Sequence, residues 1–591
     1  MQRHRPWIVM VVLALIVTAC GPTAVPSGTG TSAPSGTASA ALPSGSASGE
    51  PSASPSGPTS AVCDVPKTPP AGDGTTAADQ TLRLPLGDEP ESLDPTLVSS
   101  LRAVEIMRQL TYPLVYFDKD LNTVPGLAES WDIDGTTITF HLRDANYSNG
   151  EPIVADDFVF SWRRLVDPRV AAEYGYVMYG LAGAAALLDL DTDALPPDAE
   201  IDALLADVGV SAPDDKTFVV ELAQPAAYFL SVATLWVTVP IQEAWIEQEG
   251  ATEAGNYVAS GPFTLETWDH NSKIVLVRNP EWFGEPAKLE RIQFTLIEDE
   301  QAALSAYQAD ELDMVGVPSA DIARICGDAT LKEQMIETAT AGFEYYGFDL
   351  NDDQGAFARS PHLRRAFSMA VDKQTLVDTV RQGAATVAGS AVPPGIPGHQ
   401  ADAGLAYDPA GAKAELDLAL AELNMSDASE LDLTVGYNTS PLHEQTVDFL
   451  TEQWRTNLGV EVQSEGLEAV AYSERRSSDP FDINRASWTQ DYPHPHNFLG
   501  DVFAGGSHFT GYASDEFDDL NTQAAAESDP AAQVALYEQA QAVLIEDAPV
   551  IFLYWYGGYT LVKPHVQGLV PTSTDEDPGM MFFNLVSIGE H

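Results

Sequence analysis

The sequence predicts an α/β fold with mixed sheets spread over more than one lobe. Three observations predict it. The region from Asp79 to His591 is long enough for several layers of secondary structure. Along it, strand-like alternation and helix-like spacing follow one another irregularly, with no repeat of fixed period. One stretch reads as a β-α-β unit: LDLTVGY (Leu431–Tyr437), a helical pattern to Leu458, then VEVQ (Val460–Gln463).

The chain opens with MQRHRPWIVMVVLALIVTAC. Arg3 and Arg5 precede an apolar run from Trp7 to Val17 that is short for a membrane span. Charged start, apolar middle and small residues before Cys20 are the marks of a secretory signal, and V-T-A-Cys20 resembles a bacterial lipobox. Cys20 is the expected lipidation site, so residues 1–20 are the signal. Residues 21–78 begin with a Ser/Gly/Pro/Ala/Thr stretch lacking aromatics, which cannot bury enough apolar surface to offset its chain entropy. It reads as a flexible linker. Two further cysteines, Cys63 and Cys326, are left in an oxidising compartment, where a disulfide between them is favoured over two free thiols. The expected location is extracytoplasmic, held to the cell membrane by the lipid alone.

Further elements follow in order. TLRLPL (Thr81–Leu86) and TTITFHL (Thr136–Leu142) alternate like strands. DDFVFSWRRL (Asp156–Leu165) starts with acids and ends with arginines, which suits the helix macrodipole. KTFVVEL (Lys216–Leu222) and SKIVLV (Ser272–Val277) are strands. Leu363–Val380 and Pro409–Leu423 carry helical spacing, and PVIFLYWY (Pro549–Tyr556) reads as a buried strand.

The chain carries 87 acidic residues against 29 basic ones, a formal net charge of −58. That balance argues against nucleic acid as a partner. Enzyme signatures fail on inspection. His443-Glu444 starts an HExxH pattern, but Val447 stands where the second ligand belongs. Asp189, Asp191, Asp193 and Glu200 match acidic positions of a calcium loop, yet Ala194 replaces its glycine and Pro196-Pro197 stiffen the turn. No G-x-S-x-G elbow or phosphate-binding loop occurs. A secreted hydrolase is therefore disfavoured; no catalytic residue, cofactor or metal is expected.

One segment asks for a ligand. NRASWTQDYPHP (Asn484–Pro495) sets Asp491 among Arg485, Trp488 and Tyr492, surroundings that suit a carboxylate gripping a cation in a half-buried cleft. This segment closes an ordered series: SLDP (Ser92–Pro95), GLAESWDIDGTTITFHLRDANYSNGEPIVADDFVFSWRRLVDP (Gly126–Pro168), SGPFTLETWDHNSKIVLVRNPEWF (Ser260–Phe283), LRRAFSMAVDK (Leu363–Lys373), NTSPLHEQ (Asn438–Gln445), then LVKP (Leu561–Pro564). The series resembles the solute-binding proteins of peptide-importing ABC transporters, bacterial extracellular family 5.

The resemblance implies a two-lobed periplasmic-binding-protein-like fold with hinge strands and an additional domain. The first lobe takes 79–110, 238–340 and 557–591, the extra domain 111–237, the second lobe 341–556. It implies a monomer that captures oligopeptides between the lobes and delivers them to ABC permease subunits. Asp491 then holds the peptide ammonium, and Trp488 and Thr489 pair with its backbone. Leu101, Tyr174 and Tyr556 line the other side. Arg485 and His443, with Arg381 as a further candidate, receive the terminal carboxylate. Ala469 stands where relatives carry a Trp wall, and Thr489 where they carry a Cys, so side-chain preference does not transfer. Two alternatives remain: a non-peptide solute such as an oligosaccharide or metal chelate, and a receptor for peptide signals.

Overall fold

Three sheets organise the molecule. The computed structural model describes residues 64–69, 74–505, 510–573, 575 and 578–591. Cys20, Cys63 and most of the Ser/Gly/Pro-rich linker lie outside these. Among the described residues no helix is long and apolar enough to cross a membrane.

The first sheet has four strands in the order Thr81–Leu86, Arg291–Leu296, Lys273–Arg278, Phe263–Asp269. Thr81–Leu86 alternates half-buried and buried residues, as its sequence does, and pairs in parallel with Arg291–Leu296. The second sheet is antiparallel throughout: Ala128–Asp134, Thr137–Leu142, Thr217–Glu221, Val210–Asp214. Helix Ala155–Val166 packs on it through Phe158 and Trp162, both fully buried, with Phe218 edge-on to the Trp162 ring at 5.0 Å. One core joins these two sheets.

The third sheet is mixed. Its order is Met314–Gly316, Val550–Val562, Met335–Phe348, Ile483–Thr489, Leu433–Asn438, Val462–Leu467, with Ala385–Val387 also pairing on Val550–Val562. The predicted β-α-β unit forms its parallel part. Helix Pro441–Leu458 starts at Ser440, whose side chain accepts from the His443 amide, and stops at Gly459 with φ 75°.

Two expectations need correction. Leu363–Val380 is not one helix but two, Pro361–Met369 and Lys373–Thr379, because Asp372 leaves helical geometry to cap the Thr375 amide. The predicted strand at Pro549–Tyr556 continues to Val562, since Gly557 and Gly558 interrupt the apolar run without ending the pairing.

That extension has architectural weight. Met335–Phe348 and Val550–Val562 are long enough to serve both lobes, and they pair antiparallel with a register shift between Ala339 and Phe343. A β-bulge of this kind bends a strand pair locally. Gly342 sits inside it. A Cβ there would fall 2.6 Å from the Trp488 carbonyl and 2.8 Å from the Tyr556 ring, so only glycine lets the neighbouring strands approach so closely. The fold is α/β and two-lobed, with these as hinge strands.

Candidate functional site

Strand Ile483–Thr489 carries the segment singled out in the sequence. One edge pairs with Met335–Phe348, with Thr489 opposite Gly342 and Ile483 opposite Phe348. On the other edge Leu433–Asn438 pairs only at Ile483 and Asn484. The Gln490 amide donates to the Ala341 carbonyl at 2.9 Å. Backbone groups alternate sides along a strand, so those of Ser487 and Thr489 face away from that neighbour. Arg485, on the same side, already gives its carbonyl to the Tyr472 hydroxyl at 2.7 Å. What remains past Arg485 is a short free strand edge leading to Asp491.

Asp491 follows the strand and is only 8 % exposed. Its Oδ2 accepts from the Tyr176 hydroxyl at 2.8 Å and from Asn497 Nδ2 at 2.9 Å, while its own amide donates to Asn497 Oδ1 at 2.9 Å. Asn497 sits in the first turn of helix Pro495–Phe503, so one amide side chain fixes both the loop and the carboxylate. The same Nδ2 also reaches Asp501 Oδ2 at 3.0 Å, and the Tyr492 hydroxyl donates to that oxygen at 2.7 Å. Two carboxylates thus share one amide. Burial pushes the Asp491 carboxyl up to about 6, the Asp501 charge adds to this, and the Asn497 and Tyr176 hydrogen bonds offset part of it. Asp501 is likewise raised by burial to about 6. Asp491 is thus a desolvated, hydrogen-bonded carboxyl with no positive partner among the described residues.

The two lobes meet around this acid. Tyr176 lies in the polypeptide of the antiparallel sheet, far in sequence from Asp491. Nearby, the Tyr228 ring stacks on His496 at 3.8 Å, and the Ala227 amide donates to the Ala525 carbonyl at 2.9 Å. Tyr492 joins the core of the first two sheets. His494 and His496 are pushed down to about 3 by burial, so both are neutral packing groups.

The other predicted residues fall as follows. Trp488 donates Nε1–H to Asn497 Oδ1 at 3.1 Å and packs at the margin of the third sheet's core. Thr489 lies on the free edge. Tyr174 is edge-on to Trp236 at 4.8 Å, and burial together with the nearby Asp491 charge raises its hydroxyl above the ordinary range. Leu101, 45 % exposed, opens helix Leu101–Leu110.

The expected cations are differently placed. Arg485 makes a two-pronged pair with Glu344, Nε to Oε1 at 2.6 Å and Nη2 to Oε2 at 2.7 Å, and donates Nη1 to Asn438 at 3.2 Å. The Tyr556 hydroxyl completes Glu344 at 2.8 Å, so Tyr556 braces this pair. His443 Nδ1 lies 2.8 Å from the Asn438 carbonyl and must donate to it, which leaves Nε2 of the neutral ring an acceptor. Burial and the Arg485 charge hold this histidine below its ordinary range. Arg381 stacks on Tyr554 at 4.9 Å and borders a cavity of about 590 Å³ beside the hinge strands.

Sequence reasoning passed over Tyr176, Asn497, Asp501 and Glu344. Tyr176 had a signal in its spacing, two residues from Tyr174 in EYGYVMYG. Glu344 had a clearer one: a lone acid in the buried strand GFEYYGF must have a partner.

Cys326 is disulfide-bonded.

Known proteins share this architecture. The model of the bacterial extracellular solute-binding proteins, family 5, matches residues 122–509. The oligopeptide-binding protein OppA of Bacillus subtilis is 31 % identical over 516 residues, covering 84 % of this chain and 91 % of that one. The periplasmic oligopeptide-binding protein OppA of Escherichia coli is 32 % identical over 522 residues, 86 % and 92 %. Among solved structures, the Escherichia coli murein tripeptide-binding protein MppA superposes with a TM-score of 0.70 at 28 % identity, over 88 % of this chain and 100 % of that one. Members of this family are binding components of transport, not enzymes, and the chain belongs to the bacterial extracellular solute-binding proteins of family 5.

Proposed function

We propose that this protein captures oligopeptides between its lobes and hands them to an ABC permease. One observation carries the reading: Asp491 is a buried carboxylate without a protein cation among the described residues, at the end of a free strand edge where the lobes meet. Every linear peptide with a free N-terminus brings an ammonium for the first feature and a backbone for the second. A sugar brings neither, and the acid without a cation favours a peptide over a metal chelate carrying excess anionic groups. Ser487 and Thr489 supply backbone hydrogen bonds indifferent to side chains, and Tyr176 holds the acid from across the cleft. Closure around the ligand is the state the permease reads. The limits proposed for the working parts are 79–110, 238–340 and 557–591 for one lobe, 111–237 for the extra domain and 341–556 for the other lobe.

The deciding experiment compares free and N-acetylated peptides on native protein and Asp491→Asn. Free peptides should lose at least tenfold in affinity on mutation, about 1.4 kcal/mol. Acetylated peptides should bind native protein poorly and lose much less. Equal losses for both series would make Asp491 a loop residue, and unchanged binding of both would favour a non-peptide solute.

Lipidation at Cys20 and a Cys63–Cys326 bond complete the proposal. Cys20→Ala should release the protein to the medium with ligand affinity intact, because the linker separates anchor from fold. The unreduced, denatured form of that variant should show no alkylatable thiol; retention in the membrane fraction, or two reactive thiols, would contradict the respective assignment.

A further inference from the structure

Beside Asp491 stands a second acid that the binding scheme leaves unused. Asp501 is half-buried in the last turn of helix Pro495–Phe503, and among the described residues no Lys or Arg pairs with it. Its partner within ion-pair range is His496 Nε2 at 3.7 Å, and burial keeps that ring neutral. Two carboxylates brought close with no cation between them repel each other, a cost that hydrogen bonds must offset.

The two acids are bound alike to one amide. Asn497 Nδ2 donates to Asp491 Oδ2 at 2.9 Å and to Asp501 Oδ2 at 3.0 Å. A tyrosine hydroxyl completes each of those oxygens, Tyr176 at 2.8 Å and Tyr492 at 2.7 Å. In both acids Oδ1 is the oxygen left outside this network. The Asn497 Oδ1 accepts from the Asp491 amide at 2.9 Å and from Trp488 Nε1 at 3.1 Å. Both hydrogens and both lone pairs of this fully buried side chain are therefore in use. Three of its four bonds go to Trp488 and Asp491. Only Asp501, four residues further along the same helix and so on the same face, ties the amide to the element that carries it.

We propose that Asp501 is a positioning residue of the ammonium site, acting through the Asn497 amide to hold the Asp491 carboxylate in place for the ligand. The inference rests on the peptide reading above. Asp501 fixes the amide, the amide fixes Asp491 Oδ2, and the carboxylate meets the ammonium without reorganising. The same arrangement couples the acids electrically. Each makes the other hold its proton more tightly, so ligand release on acidification belongs to the pair and not to Asp491 alone. The remaining titratable groups around the pair bring no charge near neutrality: Tyr174 and Tyr176 beside Asp491, Tyr492 and His496 beside Asp501, and beyond them Tyr228 stacked on His496 and Tyr537 at its Nδ1.

The test measures calorimetric affinity for tetra-alanine from about pH 4.5 to 7.5, a range that brackets ordinary carboxyl and histidine values, with native protein, Asp501→Asn and Asp501→Ala. Asp501→Asn keeps an acceptor for Asn497 and Tyr492 but removes the charge. It should hold affinity at pH 7 within about threefold and move the pH at which binding fails downward by about half a unit. Asp501→Ala should show the same downward shift and also lose about tenfold at pH 7, because the amide is no longer anchored. A thermal melt without ligand supplies the second reading: removing one of two repelling charges in Asp501→Asn should leave the midpoint unchanged or raise it. A pH midpoint indifferent to both substitutions, or a melt lowered in Asp501→Asn, would make Asp501 a structural helix residue and overturn the proposal. Failure of tetra-alanine to bind native protein at any pH would overturn the peptide reading, and the role given to Asp501 would fall with it.

Discussion

Two ends of one strand handle charge in opposite ways. At one end Asp491 is a buried acid with hydrogen-bond donors and no protein cation among the described residues. At the other, six residues earlier, Arg485 is a half-buried base whose fork is filled by the buried Glu344, with Tyr556 and Asn438 completing the set. The acid end is desolvated ahead of need, which costs folding energy and favours any cation that arrives. The base end is self-satisfied, so it contributes rigidity and a hydrogen-bonding surface more than net charge. Affinity should therefore be anchored at the amino end of a ligand, with the carboxyl end held more loosely.

The largest expected effect breaks the self-satisfied end. Glu344→Gln leaves the half-buried Arg485 charge unpaired, and should cost about 2–4 kcal/mol in urea denaturation. Replacing both residues by Met should cost less than this single change, because no charge is then stranded. A double variant as unstable as the single one would mean that packing, not charge, sets the cost.

The opposite sign is expected at the acid end. The folded-state value of Asp491 is about 6, above the unfolded value of 3.8, so the native state holds its proton more tightly. Folding is then penalised as pH rises from about 4 to above 6, and the full penalty is present at pH 8. Asp491→Asn should stabilise the ligand-free protein by roughly 1–3 kcal/mol at pH 8 and by nothing below pH 4. Affinity for free peptides should fall as pH drops through 6, where Asp491 takes up its proton. Destabilisation by Asp491→Asn at pH 8 would show that this acid is not strained.

The smallest change sharpens the comparison. Tyr176→Phe removes one donor to the Asp491 carboxylate from across the cleft. A loss of about 0.5–1.5 kcal/mol in peptide affinity should follow, together with an upward shift in the pH at which binding fails. An unchanged pH midpoint would place the Tyr176 contact outside the binding event.

The sequence by itself determined the local grammar of this protein. The strand at Thr81–Leu86, the helix at Ala155–Val166 and the β-α-β unit around Pro441–Leu458 were legible because period and capping act over a few residues. Asp491 could be singled out as a candidate because its aromatic and proline neighbours lie within the same dozen residues. Local pattern also misled: Leu363–Val380 kept helical spacing across Asp372, which ends one helix and caps the next. Only the tertiary structure decided what each charged group touches. Tyr176 reaches Asp491 across 315 positions of chain and Arg485 meets Glu344 across 141, and neither pairing leaves a trace in local periodicity. The physical reason is that a side chain's charge is set by whatever the fold brings within a few ångströms, in a medium that screens poorly. That is why Arg485 and Asp491, so alike as candidates in one short motif, ended with opposite electrostatic fates.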